Sequence, residues 1–467
     1  MSRVIVVGAG ISGLAASTFL DDPDLDLTVL EAAPRAGGNV RSVREYGRVL
    51  DVAANGWLDN EPAMGRLLER TGLAGEVVRA SDKFKERWIF ADGRMHAAPL
   101  GPLAMVTTRL IPWRAKLRML LEPFIPRGLE ARDPGEVDHE SVGAWVERRL
   151  GPWFVDRMVG PMVAGIYAAD PFDVSLRAAF PRMHELERDY RSLFLAMFRL
   201  RRGGQPSGHL TTLPGGAGAL TEALAARLGS RLQTGVEVTG LERRGDGWRV
   251  LTAGGALEAD AVVLASPAYA SAKLVGELDP DAAVALADIP YSPVSVVVSA
   301  WPEGAWERDP QGFGVLVARG EELGGVLGSV FTSCIFPDQA PADEILLRTL
   351  VGGGVHPEAA ALPDDELIAR ARHAHEAFFG KEKSEPREVR IFRHRRGIPA
   401  YTPGHLGRVA VIRGAESRRS GLFFTGNHLR GIGVKDCARQ GEELALRVRE
   451  HLAGSPAEHR REEARSA

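Results

Sequence analysis

Three glycines near the amino terminus, Gly8, Gly10 and Gly13, stand in G-x-G-x-x-G spacing with Ile11 and Ser12 inside it. Glu31 closes the next apolar run. Glycines so spaced let the backbone turn tightly, approach a pyrophosphate, and hold it on the free N–H groups of a helix amino terminus. An acid placed like Glu31 accepts hydrogen bonds from ribose hydroxyls and repels a 2′-phosphate, which disfavours NADP. The elements that must position these groups lie on either side. Arg3–Gly8 reads as a short buried parallel strand, Leu14–Leu20 as a helix, and Leu27–Leu30 as a second strand delivering Glu31. The glycine spacing alone is a weak signal; with strand, helix and acid in order it becomes a βαβ dinucleotide unit.

Composition narrows the rest. The chain has 467 residues, two or more domains' worth, with 58 basic and 61 acidic side chains and a formal charge of −3. That balance argues against a general nucleic-acid binder, which needs a basic excess. Two cysteines, Cys334 and Cys437, are too few for a disulfide framework or a zinc cluster, which fits a reducing compartment. No His/Cys cluster asks for a metal. No apolar run is long enough to span a membrane, and MSRVIVVGAG runs straight into a strand with no room for a signal peptide.

After Glu31 come Arg35, Gly37, Gly38 and Asn39. This E-x(3)-R-x-G-G pattern resembles the second fingerprint of the flavoprotein oxidase group that includes amine oxidases, phytoene desaturases and protoporphyrinogen oxidases. The resemblance implies FAD, with the arginine and paired glycines bordering its diphosphate and ribityl chain. Val236, ahead of an expected β-meander, matches a valine whose backbone meets the adenine. Near the carboxyl end, Gly421–Gly426 reads as another buried strand, followed by Asn427, Gly433 and Val434 and a helix from about Asp436 to Leu446. A helix amino terminus beside a flavin stabilises negative charge on the reduced ring.

The whole chain is similar to the oxygen-dependent protoporphyrinogen oxidase family of haem biosynthesis. The segments carrying this include ERWIFADGRMHAAP (86–99), GPMVAGIYAAD (160–170), LPGGAGALTEAL (213–224), GIPAYTPGHL (397–406) and GNHLRGIGVKDC (426–437). The resemblance implies an α/β fold: a discontinuous Rossmann-like FAD-binding domain (1–80, 206–268, 408–467), an inserted α+β substrate domain (81–95, 269–407) and an inserted helical, membrane-docking domain (96–205). It implies that Arg87 pairs with a substrate propionate, that Gly165 lies on the wall beside the macrocycle, and that Met162, Phe313, Leu316 and Leu350 line the slot. The implied reaction is oxidation of protoporphyrinogen IX in three two-electron steps, with hydride passing to flavin N5 and oxygen reduced to peroxide. No side chain is nominated as a general base, because the cofactor carries the hard chemistry. FAD is expected to be non-covalent, as no cysteine stands where attachment is expected.

Residues 99–127 interleave Leu100, Leu103, Met105, Val106, Leu110, Ile111 and Trp113 with Arg109, Arg114, Lys116, Arg118 and Arg127. Such a basic, apolar stretch suits a bilayer interface without spanning it. With the resemblance it implies a cytoplasmic protein peripheral to the inner face of the cell membrane; a homodimer stays open. Other readings remain: coproporphyrinogen III as substrate, an amine oxidase (Lys273 follows Pro267 at the spacing of that group's flavin-side lysine), a carotenoid desaturase, or a flavin or porphyrin carrier without turnover. His428 and Lys435 depart from the family pattern beside the carboxyl-terminal glycines, with His428 expected to be a packed or solvent-facing residue rather than a relay. The terminal EHRREEARSA is expected to fray.

Overall fold

A computed structural model describes residues 1–132, 135, 138–200 and 208–454. The expected tail, and the end of the expected helical region at 201–205, lie outside these residues. Strands Leu232–Thr234, Leu25–Glu31, Ser2–Val7, Ala261–Leu264 and Leu422–Phe424 form, in that order, a five-stranded parallel sheet. Val4 and Val6 face one apolar layer while Ile5 and Val7 face another, so the central strand is buried on both sides. That explains its unbroken apolar run. One face is covered by helices Ile11–Leu20, Pro62–Thr71, Gly218–Leu228 and Val434–Ala453. The other carries the meander Val238–Arg244, Gly247–Thr252 and Gly255–Ala259, together with helices Ala268–Val275, Pro280–Ala287 and His405–Arg418.

A second, seven-stranded sheet has the order Glu388–Pro399, Tyr291–Pro302, Glu344–Gly352, Val326–Phe331, Gly314–Val317, Arg87–Ala91 and Arg94–Ala97. Helix Asp364–Phe379 packs Leu367, Ala371, Ala374, Phe378 and Phe379 on one face. The opposite face meets the hairpin Ser42–Glu45/Arg48–Asp51 through Val43 and Leu50, and helix Gly160–Tyr167 through Ala164.

The region 102–200 is helical, as its sequence suggests, and centres on an ion network inside an apolar layer. Arg149 is fully buried and donates to Glu122 and Glu187, which are buried with it. Glu187 also accepts from Trp145 and Arg148. Charges so desolvated are held by one another, and removing one partner strands the rest. Leu110 and Ile111, expected at an interfacial surface, belong to this core instead.

Arg149→Met keeps the stem and removes the guanidinium. It is expected to cost about 3–5 kcal/mol, read as a lower urea midpoint and faster proteolysis within 102–200. A loss below about 1 kcal/mol would show that the network does not hold this region together.

Candidate cofactor site and adjoining cleft

The nucleotide end is built from backbone. An added Cβ at Gly13 would stand 1.9 Å from the Gly8 carbonyl oxygen, so helix Ile11–Leu20 begins directly against the strand exit. At Gly10 an added Cβ would meet nothing within 4 Å, and the helix amino terminus has no side-chain cap. The first turn, with Ile11 and Ser12, therefore points free N–H groups at open space, which is what a diphosphate needs. Gly37 bridges to Gly10 and donates to Ala9 O at 2.8 Å, bringing the second glycine pair beside the first. Gly38 lies against Gly10, and Arg35 and Asn39 are exposed around the same loop.

Glu31 sits where its strand ends. Its carboxylate accepts from Ala9 N at 2.7 Å through Oε2 and from Ala33 N at 2.8 Å through Oε1, which fixes both oxygens beside the glycine turn. Val236 donates its N–H to Glu31 O at 2.9 Å, placing that valine beside the acid. Helix Val434–Ala453 starts at Gly433, whose N–H donates to Asp436 Oδ2 at 3.2 Å; it begins two residues earlier and runs longer than its sequence suggested. It crosses the first helix closely: a Cβ at Gly441 would lie 2.8 Å from Ala16 N. The Ser12 hydroxyl bonds the Cys437 thiol, whose proton burial holds up to about 11. Both helix amino termini thus converge, with Gly426 and Asn427 leading into the second. The residues present fit a flavin dinucleotide.

Beyond this lies a cleft floored by the seven-stranded sheet. Register places Phe392, Val296, Leu350, Gly328, Leu316 and Ile89 in one row across six strands. Arg390, Val298, Arg348, Val330, Gly314 and Arg87 form the next row. Period-two alternation puts both rows on the face away from helix Asp364–Phe379. Gly165 approaches this row closely, since a Cβ there would stand 2.8 Å from Leu316 Cδ2. Met162 and Ile166, on the same helix, are partly exposed. Arg87 is exposed, with its guanidinium 5.0 Å from the Phe313 ring centroid. The expected slot residues therefore gather around one sheet face and one helix.

Other side chains fall elsewhere. Lys273 is exposed on helix Ala268–Val275, a helix packed on the parallel sheet. Lys435 Nζ donates to Asn60 Oδ1 at 2.8 Å. His428 is buried and burial pushes its pKa down to about 3, so it is a neutral packed ring. Sequence reasoning missed Arg41, Asp51, Arg348 and His394, gathered where the hairpin meets the sheet. Arg348 donates to Ala53 O, and burial raises the Asp51 pKa despite the Arg348 charge nearby. His394 Nε2 lies 3.0 Å from Val52 O. A charge inside the apolar run ILLRTLVGGG was the available signal for Arg348.

Fold and glycine geometry define a dinucleotide-binding flavoprotein. The profile described as flavin-containing amine oxidoreductase matches residues 11–449, and the chain belongs to that family; its cofactor is FAD and it is an oxidase. It is 30% identical to protoporphyrinogen oxidase 2 of Arabidopsis thaliana, covering 96% of this chain and 94% of the relative. It is 32% identical to coproporphyrinogen III oxidase of Propionibacterium freudenreichii, covering 96% and 90%. A crystal structure from Exiguobacterium sp. 255-15, provisionally assigned as a protoporphyrinogen oxidase, superposes with TM-score 0.81 at 25% identity over 97% of this chain and 99% of that one. Cyclohexylamine oxidase from Brevibacterium oxydans shares the fold at TM-score 0.73 and 20% identity, over 97% and 99%.

Gly10 and Gly13 separate cofactor contact from folding. Gly10→Ala, with room around its methyl group, is expected to fold normally but retain less than a tenth of the FAD after gel filtration. Gly13→Ala is expected to lower the melting temperature as well. Full flavin loading in Gly10→Ala would mean that the diphosphate does not lie there.

Proposed function

We propose that the chain oxidises a porphyrinogen to the corresponding porphyrin, with protoporphyrinogen IX as first candidate and coproporphyrinogen III as second. The observation that supports this best is the row Leu350–Gly328–Leu316 facing Gly165, an apolar floor under a close helix wall, with Arg87 at its edge. A flat macrocycle with carboxylates matches that combination: apolar surface for the ring and a guanidinium fork for a propionate.

Bound FAD supplies the two-electron acceptor and, through oxygen, the route to peroxide. The chain's own residues bind and orient. Helix amino termini at Ile11 and Val434 hold the cofactor's charge; Arg87 fixes one carboxylate; Met162, Phe313, Leu316 and Leu350 keep the ring flat and dry. Three such oxidations remove six hydrogens and consume three oxygen molecules. None of these lining side chains is a base, so the pyrrole protons pass to solvent or to a base outside this set.

The division into domains is part of the same proposal. Among the described residues the nucleotide domain comprises 1–80, 208–268 and 408–454, with helices Ala268–Val275 and Pro280–Ala287 joining it because they pack on its sheet. The substrate domain comprises the seven-stranded sheet, including strand Arg94–Ala97, and 98–200 form the helical insert. We propose that the insert docks on a bilayer. Leu100, Leu103, Val106, Trp113, Leu117, Leu120, Leu121, Phe124 and Leu129 are exposed there among Arg109, Arg114 and Arg118, while no described helix is long and apolar enough to cross a membrane. Exposed apolar area on this scale marks an interaction surface.

Aerobic addition of protoporphyrinogen IX or coproporphyrinogen III is expected to produce porphyrin fluorescence and peroxide above autoxidation. Arg87→Ala is expected to raise KM at least tenfold with FAD content unchanged. Flavin bleaching by a primary amine, with neither porphyrinogen oxidised, would replace this reading with an amine oxidase. For docking, sedimentation with anionic liposomes is expected to be strong at low salt and weaker at high salt; no binding at low salt would refute it.

A further inference from the structure

Arg41 opens the hairpin that packs on the seven-stranded sheet. Ser42 turns to Asp51, donating at 2.6 Å, whereas Val43 joins the apolar layer on the sheet. Arg41, two residues before Val43, shares that face. Its guanidinium lies 6.0 Å from the Phe392 ring centroid. The side chain is partly buried, its Nε is shut from solvent without a partner, and among the described residues it forms no hydrogen bond or ion pair. The charges that reach it are repulsive: Arg35 lies near, and Arg41 acts with Arg348 on neighbouring His394. Asp51, the nearby acid, is engaged by Ser42 and Ala217 N and faces Arg348.

A partly buried guanidinium whose Nε has no partner among the described residues costs free energy, and an oxyanion would return it. Its position says which one. Phe392 ends the apolar row, and Arg87 stands at the strand that ends it on the other side. Five strand spacings of about 4.8 Å put these strands roughly 24 Å apart. Arg41 beside Phe392 and Arg87 therefore stand near opposite ends of the row, and a macrocycle lying along it engages both only through carboxylate arms that leave from opposite sides.

We propose that Arg41 is a second carboxylate anchor, opposite Arg87, that favours a porphyrinogen bearing carboxylates on opposite sides of the ring. Coproporphyrinogen III carries a propionate on every pyrrole; protoporphyrinogen IX carries two, on adjacent pyrroles. This inference rests on the porphyrinogen reading and turns its two candidate substrates into a ranked pair. The competing source of the same oxyanion chemistry is the cofactor diphosphate near Arg35.

The test uses holoenzyme, Arg41→Ala and Arg41→Lys, with the stable products coproporphyrin III and protoporphyrin IX as probes. Binding is read from tryptophan fluorescence quenching, and FAD per chain from absorbance after gel filtration. Arg41→Ala is expected to weaken coproporphyrin III binding at least tenfold and protoporphyrin IX less than threefold, with wild-type FAD content. Arg41→Lys, which keeps the charge but not the fork, is expected to fall between. Equal weakening of both porphyrins, or of neither, overturns the anchor, and loss of FAD assigns the arginine to the cofactor phosphate instead. Should wild-type enzyme bind and oxidise neither tetrapyrrole, the porphyrinogen reading falls and the anchor with it.

Discussion

The seam between the two sheets depends on one buried arginine. Arg48, at the start of the second hairpin strand, reaches Glu344 through two bonds of 2.6 and 2.7 Å and Glu388 through a third of 2.7 Å. Its partners belong to strands of the seven-stranded sheet, whereas the hairpin is fastened to the nucleotide side through Ser42, Asp51 and the backbone of Ala217 and Gly218. A buried bidentate pair of this kind contributes little net stability against an apolar replacement. What it contributes is geometry, because a guanidinium fork accepts only one arrangement of two carboxylates. Arg390 with Glu45 repeats the link nearer the surface. Together with the apolar contacts of Val43 and Leu50 and the bonds of Arg348 and His394 to Ala53 O and Val52 O, this clamp joins the hairpin to the cleft floor.

The nucleotide side was legible because its constraints are local. Gly13 must lack a side chain because a Cβ there would stand only 1.9 Å from the Gly8 carbonyl oxygen, and Gly10 has open space where its Cβ would be. Glu31 needs only to end a strand. Each requirement shows in spacing over some thirty residues. Three of the parallel sheet's five strands, Ser2–Val7, Leu25–Glu31 and Leu422–Phe424, were readable for a related reason, since short apolar runs bounded by glycine or closed by an acid have few other uses.

The cleft was less legible because its neighbours are set by register across strands. Nothing in the sequence spacing says that Leu350, Gly328 and Leu316 lie side by side; the sheet order does. Family resemblance named several lining residues, yet it passed over Arg41 and Arg348, whose significance comes from what surrounds them. The same limit explains Leu110 and Ile111. An apolar residue between arginines looks interfacial in sequence, and only the packing of Trp145 and Phe154 reveals that both point inward. Lys273 is the converse case: its spacing fits a flavin-side lysine, but the helix that carries it turns the side chain to solvent.

These two kinds of site divide the work according to what each must bind. A dinucleotide is recognised by backbone N–H groups and helix dipoles, which need no charged side chain and tolerate none in the way. A macrocycle with carboxylates needs an apolar floor together with cations, and cations are costly wherever water is excluded. The structure separates these demands in space. Acidic partners neutralise Arg48 at the seam and Arg149 inside the helical region, so their charge is spent on architecture. Along the cleft face, Arg87 rests on Phe313 and Arg41 on Phe392, each over an aromatic ring and neither opposite an acid. An aromatic face holds a guanidinium in place without neutralising it, which leaves its hydrogen-bond donors available. The two arginines proposed to bind by charge are therefore ones for which the described residues offer no acidic partner.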